Sequence, residues 1–307
     1  MKEIISENYG LEIIGLIKIT EKLYKVKTKQ GFFALKIINN QDFPRQYQYI
    51  RSLHLEYFIS IVLNHQSNIL TPYENYYFYI MPWINIDEHV VKELKLKYYF
   101  QTIAIIHNHS FYTTKVHDGY FKNICENLRE MIVSRQTFYL EKIQSIELNY
   151  FKSPSEWEFI LNYNRIIEHL KYASKFLEDF EQLTINKNTV RLSLVYMNFD
   201  VNHISLEQQK IISIDKMKID LPIYDIYDLY LHQNSLKFEN DLLIEHYLSK
   251  FILYDYEKLL LACLLSCLPM IEFSTDQINN LIVITRLCNY LESTHQLIKK
   301  LNLTAIS

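Results

Sequence analysis

The chain has 307 residues, 49% of them hydrophobic and 22% charged, with no polar low-complexity tract, so it has the material for a large core and is not a disordered protein. Its 32 basic and 35 acidic residues give a net charge of −3 with interspersed signs, and no basic run is interleaved with aromatics, which argues against a nucleic-acid partner. The opening MKEIISENYG is acidic and is followed by no apolar stretch, so it does not read as a signal peptide, and the longest apolar region, Leu259 to Met270, falls short of a membrane span; the chain reads as cytoplasmic.

Residues 11 to 38 contain three β-rich runs, LEIIGLIKI, KLYKVKT and GFFALKII, separated by TE and by the turn TKQG, and predict three antiparallel strands. PRQYQYIRSLHLEYF, residues 44 to 58, begins with Pro44 and carries Tyr47, Ile50, Leu53, Leu55 and Phe58 near helical spacing, which predicts one helix. A turn at PYEN and a strand over Tyr76 to Ile80 follow, so residues 1–84 form an expected N-terminal lobe. Residues 85–307 are expected to be a mainly helical lobe.

KELKLKYYFQTIAIIHNHS predicts a long amphipathic helix. SPSEWEFILNYNRIIEHLKYASKFLEDF predicts another, with Ser153 as N-cap, Pro154 at the first position and Glu156 at the third, the spacing of a capping box. The β-like runs VRLSLVY, HISL and KIISID place a hairpin within 190–220, and two or three helices fill 240 to 300. Cys263 and Cys267 stand one helical turn apart in LLLACLLSCLPM, but no neighbouring His or carboxylate completes a metal set, so they read as core residues. His107 and His109, two apart, point to different sides of a helix and do not make a metal pair.

A small antiparallel sheet with one helix, followed by a helical lobe with an embedded hairpin, is the α+β, bilobal architecture that protein-kinase-like phosphotransferases have. Ala34-Leu35-Lys36-Ile37 lies on the third strand, where V-A-I-K lies in kinases and its lysine grips ATP phosphates; a plain surface lysine is the competing reading. YMNFDVNHISLEQQKIISIDKMKIDLPIYD, residues 196 to 225, resembles the aminoglycoside-phosphotransferase pattern H-G-D-x-x-x-x-N, then I-D, then a structural Asp. Ile214-Asp215 matches the metal-binding I-D, and Asp225 matches the structural Asp, with Asp228 nearby.

Counting back from Asp215 puts His203 at the metal-binding Asn and Asn198 at the catalytic Asp. A hairpin longer by one residue puts Asn202 at the metal position and Met197 at the base. Neither register restores the carboxylate.

The chain over residues 10 to 235 resembles the CotS/YutH group of endospore coat-associated proteins, a branch of the aminoglycoside-phosphotransferase-like kinases. The resemblance is carried by Y-K-V-K-T-K-Q-G-F-F-A-L-K, by Y-F-Y-I-M-P-W with its strand-end tryptophan, by Ile103 to His107, by S-P-S-E-W-E-F and by the 196 to 225 block. It implies a kinase-like fold, a spore-coat setting with protein partners and a degenerate catalytic site. If a nucleotide is retained, the residues at its site are Lys36, Met81 and Trp83, and Asp215 and His203 hold the metal; Glu56, the one acid of the predicted helix, is the candidate partner of Lys36, although its place near the helix end reads more readily as a solvated glutamate. Trp83 reads more readily as a packing residue than as an adenine stack.

A glycine-rich phosphate loop is absent, since the turn KITEKLY lacks glycine. The sequence leads to three expectations: a pseudokinase acting in coat assembly, a divergent phosphotransferase using ATP and Mg²⁺, and a module binding a non-nucleotide ligand.

Overall fold

The computed structural model describes residues 1–85, 90–232, 240–301 and 303. In chain order the elements are α1 (Lys2–Tyr9), β1 (Ile13–Lys18), β2 (Leu23–Thr28), β3 (Gly31–Ile38), α2 (Phe43–Ser52), β4 (Thr71–Tyr73), β5 (Tyr76–Pro82), α3 (Lys92–Ser110), β6 (Tyr112–Lys115), α4 (Tyr120–Glu147), α5 (Pro154–Thr184), β7 (Thr189–Val195), β8 (Ile204–Ser205), β9 (Lys210–Ile211), β10 (Lys218–Asp220), α6 (Ile223–His232), α7 (Asn240–Leu248), α8 (Asp255–Ser266) and α9 (Gln277–Lys300). They divide into two compact units, Met1–Thr102 with Tyr196–Lys218, and Ile103–Val195 with Ile219–Ser307.

The first unit is built on a five-stranded antiparallel sheet in the order β1-β2-β3-β5-β4. The alternation of strand side chains decides what each face does. Val26, Leu35, Phe78 and Ile80 pack with Ile5, Tyr9 and Leu11, so α1 and the segment after it cover one face. The helix α1 stops at Gly10, whose φ of 65° is the left-handed conformation that glycine adopts without strain; Tyr9 Oη hydrogen-bonds Thr71 Oγ1 at 3.0 Å, tying α1 to the strand β4. Lys36, one residue after Leu35, therefore projects from the opposite face, and its antiparallel partner on β5 is Tyr79. Phe43, Tyr47 and Ile50 of α2 are buried, and the Phe43 ring lies 5.1 Å from that of Tyr79.

The three predicted strands are present as β1 to β3. The helix expected over residues 44 to 58 is shorter: α2 ends at Ser52, and His54 takes a φ of 51°. A left-handed residue breaks the helical repeat, so Leu55 and Phe58 leave it. Phe58 instead forms a parallel bridge with Ile211, reinforced by Ile211 N donating to Tyr57 O at 2.7 Å. The sequence reading passed over α1 and α4, because their apolar residues are interrupted by charged ones.

The second unit is mainly helical, with α5 packed against α4, α8 and α9, and it contains the three-stranded sheet β10-β7-β6. The capping box predicted for α5 is present: Glu156 N donates to Ser153 Oγ and Ser153 N donates to Glu156 Oε2. The apolar run at 259 to 266 lies in α8; Cys263 is buried within the helix and Cys267 just past its end. Burial pushes the Cys267 thiol up to about 11 and Cys263 higher still. Among the described residues no helix is long and apolar enough to cross a membrane.

Two buried polar groups are matched within this unit. The Arg191 guanidinium is paired with Glu257 through two nitrogens, its Nε lying 2.9 Å from Oε1, and it stacks on Tyr254 at 3.9 Å and Phe251 at 4.3 Å. His107, fully buried, lies between Asp225 Oδ2 at 3.1 Å and Tyr247 Oη at 2.8 Å. A carboxylate only accepts, so His107 Nε2 carries a hydrogen. His107 and Asp225 are thereby structural in this unit.

His169 is a different case: it is 6% exposed, its Nδ1 has no hydrogen-bond partner among the described residues, and burial, aided by His295 and Arg165, lowers its pKa from 6.5 to about 4. Between these values the unfolded chain binds a proton that the folded chain refuses. Stability is therefore expected to fall as pH drops from 6.5 toward 4, by up to about 3 kcal/mol from this group. Denaturant titrations across that range are expected to show a shallower slope in His169→Phe. Glu257→Gln, which leaves Arg191 buried without its counter-charge, is expected to cost about 3–5 kcal/mol in the same measurement at pH 7.

Candidate functional site

The second stretch of the first unit, Tyr196–Lys218, carries the loop that the sequence singles out. It leaves β7 at Val195, passes through Tyr196, Met197 and Asn198, makes a short 3-10 turn at Val201–His203 and forms the hairpin β8-β9. A second 3-10 turn, Ile214–Lys216, follows Ser213. Asp215 sits in that turn, and its carboxylate is ion-paired with the Lys36 ammonium. The two side chains are only 16% and 14% exposed, and Tyr79 Oη donates to the same carboxylate oxygen at 3.3 Å.

The strand register explains this convergence. Lys36 and Tyr79 are directly opposed on β3 and β5, so both side chains leave the same face at one level and meet the same carboxylate. Burial, and then the Asp215 charge, raise the Tyr79 hydroxyl's pKa well above its usual value, so Tyr79 stays a donor.

Asn198 is half-buried, and its Nδ2 donates to Ser213 O at 2.9 Å. The amide is thus engaged with backbone where the resemblance implies a catalytic carboxylate. Met197, before it, takes a φ of 52°, a left-handed conformation at the place that the H-G-D pattern gives to glycine. His203 is also half-buried, and its Nδ1 lies 3.0 Å from Asn198 O and 3.1 Å from Tyr196 Oη.

Tyr196 in turn donates its hydroxyl hydrogen to Ile212 O at 2.6 Å. Carbonyl oxygens accept only, so His203 Nδ1 carries a hydrogen and Nε2 keeps a lone pair in the neutral ring. Burial, the largest effect, pushes the pKa of His203 below its ordinary value; the Lys36 charge acts in the same direction, and Asp200 and Asp215 oppose it. Asn202, the alternative metal residue, is exposed, and its backbone N–H donates to Asp200 Oδ1 at 2.8 Å.

The other sequence candidates lie as follows. Glu56 is exposed and lies beyond the end of α2; its carbonyl, not its carboxylate, accepts from Lys210 Nζ. The partner of Lys36 in this structure is Asp215, and the candidate Lys36–Glu56 pair is not formed: the early stop of α2 carries Glu56 off the helix, where it is a solvated residue. Met81 is buried on β5 opposite Ala34. Trp83 donates its backbone N–H to Phe32 O at 3.0 Å, and Lys25 Nζ lies 4.5 Å from its ring centre, which is a packing role.

Asp228 is buried and pairs with His232 at 3.1 Å. Sequence reasoning did not find Tyr79 or the Tyr196–His203 contact. Both depend on strand pairing and loop closure, and the only sequence signal was the placement of Tyr79 in an aromatic strand.

The donor set suits an anion such as phosphate better than it suits Mg²⁺. Lys36 offers an ammonium to an anion, whereas Mg²⁺ takes oxygen ligands, and the position implied for its second ligand holds an imidazole. Among the described residues no group of three or more His, Cys, Asp and Glu is placed to hold a metal.

Several solved structures share this fold. An aminoglycoside phosphotransferase from Alicyclobacillus acidocaldarius superposes with a TM-score of 0.73 at 10% identity, over 98% of this chain and 95% of that one. Spectinomycin phosphotransferase, solved with ADP and spectinomycin, gives 0.59 at 11% identity over 96% and 97%. A thermostable mutant of another aminoglycoside phosphotransferase gives 0.51 at 10% identity over the full length of both chains. No family model matches the sequence, and no curated protein is significantly similar to it.

The ion pair makes a stability prediction. Asp215→Ala, which strands the Lys36 ammonium, is expected to lower unfolding free energy by about 3 kcal/mol, and the double variant Lys36→Met/Asp215→Leu is expected to recover most of that in urea titrations. An antiparallel five-stranded sheet followed by a mostly helical remainder, matched along nearly the whole chain, gives this protein the kinase-like fold of the aminoglycoside phosphotransferases.

Proposed function

We propose that this chain is a pseudokinase: a nucleotide-binding protein on a phosphotransferase scaffold that acts by binding a protein partner and transfers phosphoryl groups slowly or not at all. The observation that carries this reading is the state of Asn198, a side chain without a carboxylate, turned onto the backbone at Ser213. General-base assistance is worth ~10²–10⁴ in rate, and an amide does not supply it.

Lys36, held on β3 beside Asp215 and Tyr79, supports retention of phosphate binding, since its ammonium is already ordered at the strand position where V-A-I-K carries the phosphate-gripping lysine in kinases. Spectinomycin phosphotransferase, of the same fold, was solved with ADP, which supports an adenine nucleotide as the first ligand to try. The resemblance of residues 10 to 235 to the CotS/YutH group supports a spore-coat setting and coat proteins as partners.

The second reading, a divergent phosphotransferase acting on a small hydroxyl or amine compound or on a protein, is favoured by the survival of Lys36 and Asp215 as a contacting pair.

Thermal shift with ADP and ATP tests the nucleotide. A ligand at about 100 times its Kd stabilises by ~2.7 kcal/mol, and the shift is expected to vanish in Lys36→Ala; no shift in the parent chain would sink the nucleotide. Turnover tests the rest: the parent chain is expected to release negligible phosphate from ATP, and Asn198→Asp to raise that rate by ~10² or more. Brisk turnover by the parent chain on any acceptor is the result that favours the second reading.

A further inference from the structure

The buried acids, lysines and arginines among the described residues have counter-groups, with one exception. Arg191 and Glu257 pair with each other, Asp225 pairs with His107, and Asp228 pairs with His232. Lys95 is only 3% exposed, and its ammonium makes no hydrogen bond or ion pair with any described residue. A methionine or leucine at that position would fill the same space without burying a charge, so packing alone does not call for a lysine.

The place of Lys95 on α3 adds to the cost. It is the fourth residue of a 19-residue helix, and helical side chains lean back toward the N-terminus, so its ammonium is directed at the end of the helix that carries partial positive charge. Leu94 N donates to Val91 O at 3.0 Å, whereas the N–H groups of Lys92 and Glu93 find no acceptor among the described residues. Glu93, the acid of this turn, is exposed and makes no ion pair with Lys95. Lys92, three residues earlier on the same side of the helix, is exposed and brings a second cation to the rim. Tyr99, one turn beyond Lys95 on that side, packs its ring 4.9 Å from Phe199 and 6.1 Å from Tyr196, so the site opens beside the loop that follows β7.

We infer that the first turn of α3 binds an oxyanion, the phosphate or carboxylate group of a small ligand. The Lys95 ammonium is its buried counter-charge, the N–H groups of Lys92 and Glu93 are its donors, and the Lys92 side chain closes the rim. One anion there compensates both the unpaired ammonium and the helix end. The site stands apart from the nucleotide reading, which rests on Lys36.

Thermal melting of the full chain tests this, in inorganic phosphate and separately in succinate, with chloride at matched ionic strength as the reference; the two arms tell a phosphate ligand from a carboxylate one. The melting temperature of the parent chain is expected to rise by about 5 °C in the oxyanion that fits, at roughly 100 times its Kd. Lys36→Ala is expected to keep that rise. Lys95→Met is expected to melt no lower than the parent in chloride, because it removes an uncompensated charge, and to lose the rise; Lys95→Arg, which keeps a cation, is expected to retain at least part of it.

The oxyanion site is overturned if neither anion raises the melting temperature, if the rise survives in Lys95→Met, or if it disappears in Lys36→Ala. A Lys95→Met chain that melts well below the parent in chloride, or does not fold, also overturns it, since that outcome makes Lys95 a structural residue. Loss of an ADP shift in Lys36→Ala with the phosphate or succinate shift intact bears on the nucleotide alone and upholds the separate site.

Discussion

A charged amine and a carboxylate, largely withdrawn from water, are tolerable only together, and the first unit is arranged around that requirement. Lys36 comes from the middle of a sheet and Asp215 from a turn 179 residues later. Their pairing commits the sheet, the helix α2 over its face and the 196–218 stretch to one arrangement. Tyr79 is drawn in by register, because antiparallel pairing sets it opposite Lys36. Unpaired, either charge would carry a desolvation cost that the surrounding aromatic and aliphatic packing does not offset.

The loop between β7 and β8 is held in shape by contacts of its own. Met197 holds a left-handed conformation that costs a non-glycine residue roughly 1–2 kcal/mol, so the neighbouring contacts must fix it. Those contacts are visible: Asn198 to Ser213, Tyr196 to Ile212, and His203 to Asn198 and Tyr196. Several of the loop's polar groups are thus turned onto its own main chain.

The second unit follows the same rule of matched burial with different groups. Arg191 is satisfied by Glu257 and sandwiched by aromatic rings, and His107 is held between Asp225 and Tyr247. The resemblance marks Asp225 as structural, and the pairing with His107 gives that role a physical form. His107, for which the sequence spacing argued only against a metal pair with His109, belongs to this buried set because α3 carries it inward.

The sequence by itself determined the elements whose signals are local. Alternating β-branched and aromatic runs with a turn between them gave β1 to β3, and Ser153, Pro154 and Glu156 marked the start of α5, since capping and alternation depend on neighbours a few residues apart. Motif order along the chain also pointed to the kinase-like fold and to Lys36 and Asp215. What only the tertiary structure decided was long-range: that α2 stops at Ser52 and leaves Glu56 outside, that Lys36 takes Asp215 as partner with Tyr79 beside it, and that the ring of residue 203 closes onto Tyr196 and the Asn198 carbonyl while residue 202 lies in solvent. Strand register and loop closure settle these, and neither is written in the spacing of any single segment.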